Sequence, residues 1–186
     1  MALRIKSRWH DDDQERSLEE IAGTLGYIIW RIAKDKAINL HGQDYAFDSD
    51  EQRMAVIIEY LIFQLQLVDR LAQQRIGLDD EARQEMIIET AKKLAGHVQD
   101  NSFDLFGPGQ YIPPFIAKLN ERGAEYSDYQ YTEDGPSYPF MRHLGYEIQQ
   151  VMGESQTNRW VIDQVMDRDG IDIDRQIRRA VDDLFG

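Results

Sequence analysis

The chain has 186 residues, 42% of them hydrophobic and 30% charged, which is the balance of a globular protein and not of a disordered one. Its formal net charge of −13 sets up a field that repels DNA, RNA and anionic lipid, so neither a nucleic-acid nor a membrane partner is expected. It contains no cysteine, which excludes disulfides, thiolate metal sites and a cysteine nucleophile.

Residues 1–16 read as an N-terminal arm, basic at Arg4, Lys6 and Arg8 and acidic from Asp11. The stretch contains no apolar core of the kind a secretory signal carries, so the cytoplasm is the default location. No apolar run approaches the 18 residues of a membrane span. His10 and the three aspartates after it could suggest a metal. Adjacent residues, however, cannot all turn toward one ion, and no second cluster has ligand spacing.

The remainder, 17–186, is expected to form one helical domain. Ser17 and Glu20 make a capping box that opens a first helix running to about Asn39. Gly23, Gly26 and Trp30 share one side of it. Glycine inside a helix costs about 1 kcal/mol relative to alanine. That side therefore reads either as a close approach to another helix, including a dimer contact, or as tolerated glycine.

Ser49 and Gln52 cap the next helix, the long central one at residues 50–74, which Gly77 ends. Placed at about 100° per residue, Glu59, Gln66, Arg70 and Gln73 fall on one narrow strip, and most other positions are apolar. An ordinary surface helix carries an apolar stripe of little more than a quarter-turn. This helix should therefore be surrounded by neighbours. Gln64 and Asp69 lie inside its apolar arc. A buried carboxylate needs a hydrogen bond or a counter-charge, so Asp69 reads either as bonded to an arginine or capped backbone, or as part of a ligand site.

A third helix covers about Asp79 to Asn101, with Ile87, Ile88, Ala91, Leu94, Ala95 and Val98 inward and His97 beside them. The loop that follows, broken at Gly107-Pro108-Gly109, should fold Phe103 and Phe106 back on the core. Pro113 and Pro114 suit the first turn of a fourth helix that fades near Gly123. Tyr126, Tyr129, Tyr131 and Tyr138 then crowd a segment with room for a short extended piece. They read as rings pinning a loop or as a partner contact. Pro139 starts a fifth helix, with His143, Tyr146 and Gln149 off its apolar face. A short helix over Asn158–Met166 and a last one over Asp172–Phe185 complete the chain, with Arg175, Arg178 and Arg179 outward.

Chemical motifs are scarce. An EF-hand with its loop glycine at Gly170 would place Val165 and Gln176 where calcium requires oxygen, so Asp167–Gly170 reads as a turn and cap. None of His10, His41, His97 or His143 has a glutamate three residues before it, which argues against a di-iron bundle. Phosphate-binding glycine loops, zinc-protease helices and serine-nucleophile elbows are missing. No cofactor, metal or catalytic residue is thus assigned, and whether the chain is an enzyme stays open. The expectation is an all-α, single-domain bundle of about six or seven helices around residues 50–74. Its expected role is self-association or protein binding through Gly23, Gly26, Trp30 and the four tyrosines. The alternative is a small-molecule binder or enzyme with a pocket beside Gln64, Asp69 and His97.

Overall fold

The computed structural model describes residues 16–42, 45–155 and 157–186; the arm expected over 1–16 lies outside them apart from Arg16. The fold is an all-α bundle. Its helices are α1 (Leu18–Gly42), α2 (Asp50–Leu71), α3 (Asp80–Phe106), α4 (Ile112–Tyr126), α5 (Tyr138–Met152), α6 (Val161–Gln164) and α7 (Gly170–Phe185). A two-residue hairpin, β1 (Tyr131–Thr132) against β2 (Gly135–Pro136), is the extended piece foreseen in the tyrosine segment. None of the helices described is long and apolar enough to cross a membrane.

The α2 helix is the axis of the bundle. It touches α1, α3, α4, α5 and α7, and this is why a helix apolar around most of its circumference is stable here. Leu61, Leu65 and Val68 are buried. Each such side chain contributes roughly 1.5–3 kcal/mol by leaving water. Its N-terminus is capped by Ser49, whose Oγ accepts from Gln52 N at 3.1 Å. Gln52 reaches back one residue further than a capping box requires, to Asp48 N, and also donates to Val151 O of α5. At the other end α2 widens into a π-helical turn, Ala72–Ile76, and stops at Gly77, whose φ of 74° gives the left-handed cap that glycine favours. The α1 capping box is complete: Ser17 N donates to Glu20 Oε2 and Glu20 N to Ser17 Oγ.

Several boundaries depart from the sequence expectation. The α3 helix continues five residues past Asn101, to Phe106. One more turn puts Ser102 and Phe106 on the inner face together and leaves Phe103 49% exposed, so Phe103 does not fold back on the core. Ile88, expected inward, is exposed, while Met86 and Thr90 are buried and the Thr90 hydroxyl donates to Met86 O. Asp167–Gly170 is not a turn. A π-helical segment, Val165–Asp169, runs straight into α7 and buries Asp169, which accepts from the Tyr60 hydroxyl at 2.7 Å. Gln149, expected off the apolar face of α5, is buried and ties Gly153 O to Asn158 O. Arg178 is drawn inward by Asp174 and by Glu133 O, leaving Arg175 and Arg179 exposed. Trp160 precedes α6 and is exposed.

Candidate functional site

The polar strip on the central helix does not face water at Glu59, Gln66 and Arg70; only its last member, Gln73, is exposed. The strip is the seat of α4. Glu59 accepts from Arg122, the Gln66 amide lies 3.6 Å from where a Cβ on Gly123 would stand, and Arg70 donates to Tyr126 O at 3.1 Å. The first of these contacts is the centre of a charged cluster. Glu59 is 3% exposed and Arg122 6%. Arg122 Nε donates to Glu59 Oε2 at 3.1 Å and Nη2 to Glu59 Oε1 at 3.2 Å. Nη1 donates to Glu125 at 3.0 Å and to Glu121 at 3.4 Å, and Nη2 also meets Glu147 of α5. Every guanidinium nitrogen is therefore engaged, as a buried arginine requires.

The surroundings set the charge states. Burial raises the Glu59 carboxyl above its ordinary value, and the Arg122 bond and charge oppose this. Burial lowers the Arg122 guanidinium, but Glu59, Glu147 and Glu125 more than reverse it, so the group is a permanent cation. Burial also pushes Glu125 up. The hydrogen bond with His143 and the charge of Arg122 together hold it below the ordinary carboxylate value. His143 Nε2 stands 2.8 Å from Glu125 Oε2. One ligand atom from each of Glu125, His143 and Glu147 falls within 4.8 Å of the others, which makes these the residues able to hold a metal ion among those described. Tyr126 stands behind them, fully buried. Its hydroxyl has no hydrogen-bond partner among the protein groups described.

Beside Glu59, Arg122 and Glu147 the helices part into an open cleft of about 700 Å³. Met54, Ala55 and Ile58 of α2, Val98 and Phe106 of α3, Phe115 of α4 and Val151 of α5 wall it. Glu59, Arg122 and Glu147 close its polar end, and Glu51 and Lys118 also line it. The turn between α3 and α4 holds the cleft's other side. Gln99 fastens it by donating to Gly109 O and accepting from Tyr111 N, while the Tyr111 hydroxyl donates to Gly107 O.

The residues singled out from sequence lie elsewhere. Gln64 is buried and spends its amide on Ile29 O and Tyr60 O. Asp69 is half-buried and pairs with Arg83 of α3, the structural bond expected of it. His97 stacks on Trp30 at 5.4 Å between ring centroids, and burial holds its imidazole below its ordinary pKa. None of these three lines the 700 Å³ cleft. Gly26 is a close helix approach, but to α3 of the same chain: a Cβ there would stand 2.7 Å from Lys93 Cβ. Gly23 has open space around it. Of the tyrosines, Tyr126 is buried, Tyr131 is buried and donates to Asp174, Tyr129 is half-buried against His143, and Tyr138 is exposed.

In the sequence, Glu59 falls on the polar strip of the central helix, and Arg122, Glu125 and Glu147 carry no assigned role. The available signal was Glu59 itself, a charge in the middle of a helix that is otherwise apolar nearly all round. Such a position demands a cation from a neighbouring helix. Comparison with family models, with curated proteins and with solved structures found no match.

Proposed function

We propose that the protein binds an amphipathic small molecule in the cleft between α2, α3, α4 and α5. The observation that supports this is the pairing of about 700 Å³ of apolar-walled space with a buried polar end at Glu59, Arg122 and Glu147. Ligand sites are typically clefts of roughly 300–1,000 Å³ with mostly apolar walls and a few placed polar groups. The guanidinium has no donor to spare. What the polar end offers is acceptor capacity on carboxylates, so the favoured head group donates hydrogen bonds: an amine or a hydroxyl. A carboxylate head would meet Glu59 and Glu147 beside an Arg122 whose donors are already engaged, and the other cation lining the cleft, Lys118, stands 3.5 Å from Glu121. The reading makes the protein a binder first and assigns no catalytic residue, and the proposed setting is the cytoplasm.

The test is a set of ten-carbon ligands with amine, alcohol and carboxylate heads, followed by thermal shift and by displacement of an environment-sensitive dye. Amine and alcohol are expected to bind, the acid at least tenfold more weakly, and Ala55→Trp is expected to fill the cleft and abolish binding. Equal binding of the acid would remove the head-group argument. Failure of all three ligands would remove the cleft argument.

A second reading places an apolar segment of another protein, or a second copy of this chain, over the cleft. It draws on Phe103, Leu105 and Ile112, which are exposed beside the cleft residues Phe106 and Tyr111. Light scattering distinguishes it: a concentration-dependent dimer that Phe103→Glu dissolves favours this reading, and a monomer at all concentrations defeats its self-association form.

A further inference from the structure

We propose that Glu125, His143 and Glu147 form a site for one divalent transition-metal ion of the zinc type, with the Tyr126 hydroxyl placed to hold a water on that ion. The inference goes beyond the cleft reading and does not depend on it, since the ion needs no organic ligand in place; the two share Glu147, so the cleft ligands are tested on chelator-stripped protein.

The geometry comes from two helices. His143 and Glu147 are four residues apart on α5 and so share one face, one turn from each other. Glu125 reaches them from the last turn of α4. Ligands at roughly 2.1 Å from a tetrahedral zinc stand about 3.4 Å from one another. His143 Nε2 and Glu125 Oε2 are already at 2.8 Å, and the widest separation in the trio is within 4.8 Å. The widest pair has to close by at most about 1.4 Å and the closest to open by about 0.6 Å, movements within side-chain rotation. Three protein ligands leave the fourth position for water, as in open zinc sites.

Charge points the same way. Glu59, Glu121, Glu125 and Glu147 surround one guanidinium; Lys118, 3.5 Å from Glu121, offsets one of them, and the remaining excess of two negative charges is what a single divalent ion cancels. Arg122 keeps its bidentate partner Glu59 when the ion takes the outer two carboxylates. The imidazole decides which ion: nitrogen ligands favour zinc and its neighbours over magnesium and calcium, which prefer oxygen alone.

The independent observation is Tyr126. Its side chain is fully buried and its hydroxyl has no partner among the described residues, an arrangement that costs about 1–3 kcal/mol if nothing satisfies it. The ring meets His143 edge-on with centroids 4.9 Å apart. Tyr126 is the residue after Glu125 in the last turn of α4, so the orphaned hydroxyl belongs to the same corner of the bundle. A water on the ion would give it a partner.

The experiment uses the full chain without a histidine tag, stripped with chelator and titrated calorimetrically with Zn²⁺, Mg²⁺ and Ca²⁺, and with Co²⁺ read by visible absorption. One equivalent of Zn²⁺ is expected to bind, and Co²⁺ to give the spectrum of a low-coordinate nitrogen–oxygen site. His143→Gln and Glu125→Gln are each expected to weaken Zn²⁺ by ~100-fold, and Tyr126→Phe by ~10-fold, as for a group that touches the ion through water. Glu125 is the more exposed ligand, so its variant reports even if His143→Gln fails to fold by circular dichroism. Three results overturn the proposal: no stoichiometric Zn²⁺, Zn²⁺ bound as tightly by Glu125→Gln as by the parent, or Mg²⁺ bound as tightly as Zn²⁺.

Discussion

Replacing Arg122 with methionine isolates the strongest electrostatic demand in this bundle. Methionine keeps most of the volume and removes the charge, leaving the Glu59 side chain, 4% exposed, without its cation. Removing one partner of a buried pair costs about 3–5 kcal/mol, because the remaining charge is stranded. Glu59 has an escape: it can take up a proton. From an ordinary glutamate pKa of about 4.3, holding a proton at pH 7 costs about 2.7 pH units at 1.36 kcal/mol each, or about 3.7 kcal/mol. That cost caps the electrostatic loss and gives it a pH signature. Burial already raises the Glu59 pKa in the parent protein, and the variant should raise it further. A raised acid binds its proton more tightly folded than unfolded. The associated stability is therefore complete below the unfolded pKa and is lost as pH rises through the folded one. Urea unfolding of Arg122→Met should show a loss of about 3–4 kcal/mol at pH 7 that shrinks to about 1 kcal/mol near pH 5. Adding Glu59→Gln should restore most of it at pH 7. A loss that is the same at both pH values, or a double variant no more stable than the single, would refute the claim that a stranded Glu59 charge dominates.

Further expectations come from other parts of the fold. Gly23→Ala should stabilise by about 1 kcal/mol through helix propensity, because its new Cβ meets nothing within 4 Å. Gly26→Ala should instead destabilise by about 1–2 kcal/mol, since a Cβ 2.7 Å from Lys93 Cβ must push α1 from α3; equal effects at the two glycines in guanidinium melts would contradict this packing. Tyr60→Phe removes the 2.7 Å bond to buried Asp169, leaving its carboxylate the 3.3 Å bond from Gln164 among the described side chains, and should cost about 1.5–3 kcal/mol. Leu61→Ala, at the fully buried centre of α2, should cost about 2–5 kcal/mol in thermal unfolding; a loss below 1 kcal/mol would mean that α2 is not enclosed.

Periodicity alone carried the helices. Ser17 with Glu20, Ser49, Gly77, and Pro113 with Pro114 mark ends through local hydrogen bonds and backbone dihedrals, which are properties of neighbours in the chain. The apolar breadth of α2 likewise required a surrounding shell, because uncovered apolar area is unfavourable wherever the neighbours come from. What covers each position is a different kind of fact. Glu59, Gln66 and Arg70 look like a wet strip until α4 is laid along them. Gly26 can be tolerated glycine or a crossing point until α3 is seen against it. Which of four histidines stands beside two carboxylates depends on how the end of α4 meets α5. A buried ion pair is held by residues 63 positions apart, and no local energy term links Glu59 to Arg122 before the helices dock. Local sequence settles where most helices start and turn greasy, but not where α3 stops or that Asp167–Gly170 stays helical. Only docking settles which charges meet, because Coulomb and desolvation energies depend on distances that the order of residues does not contain.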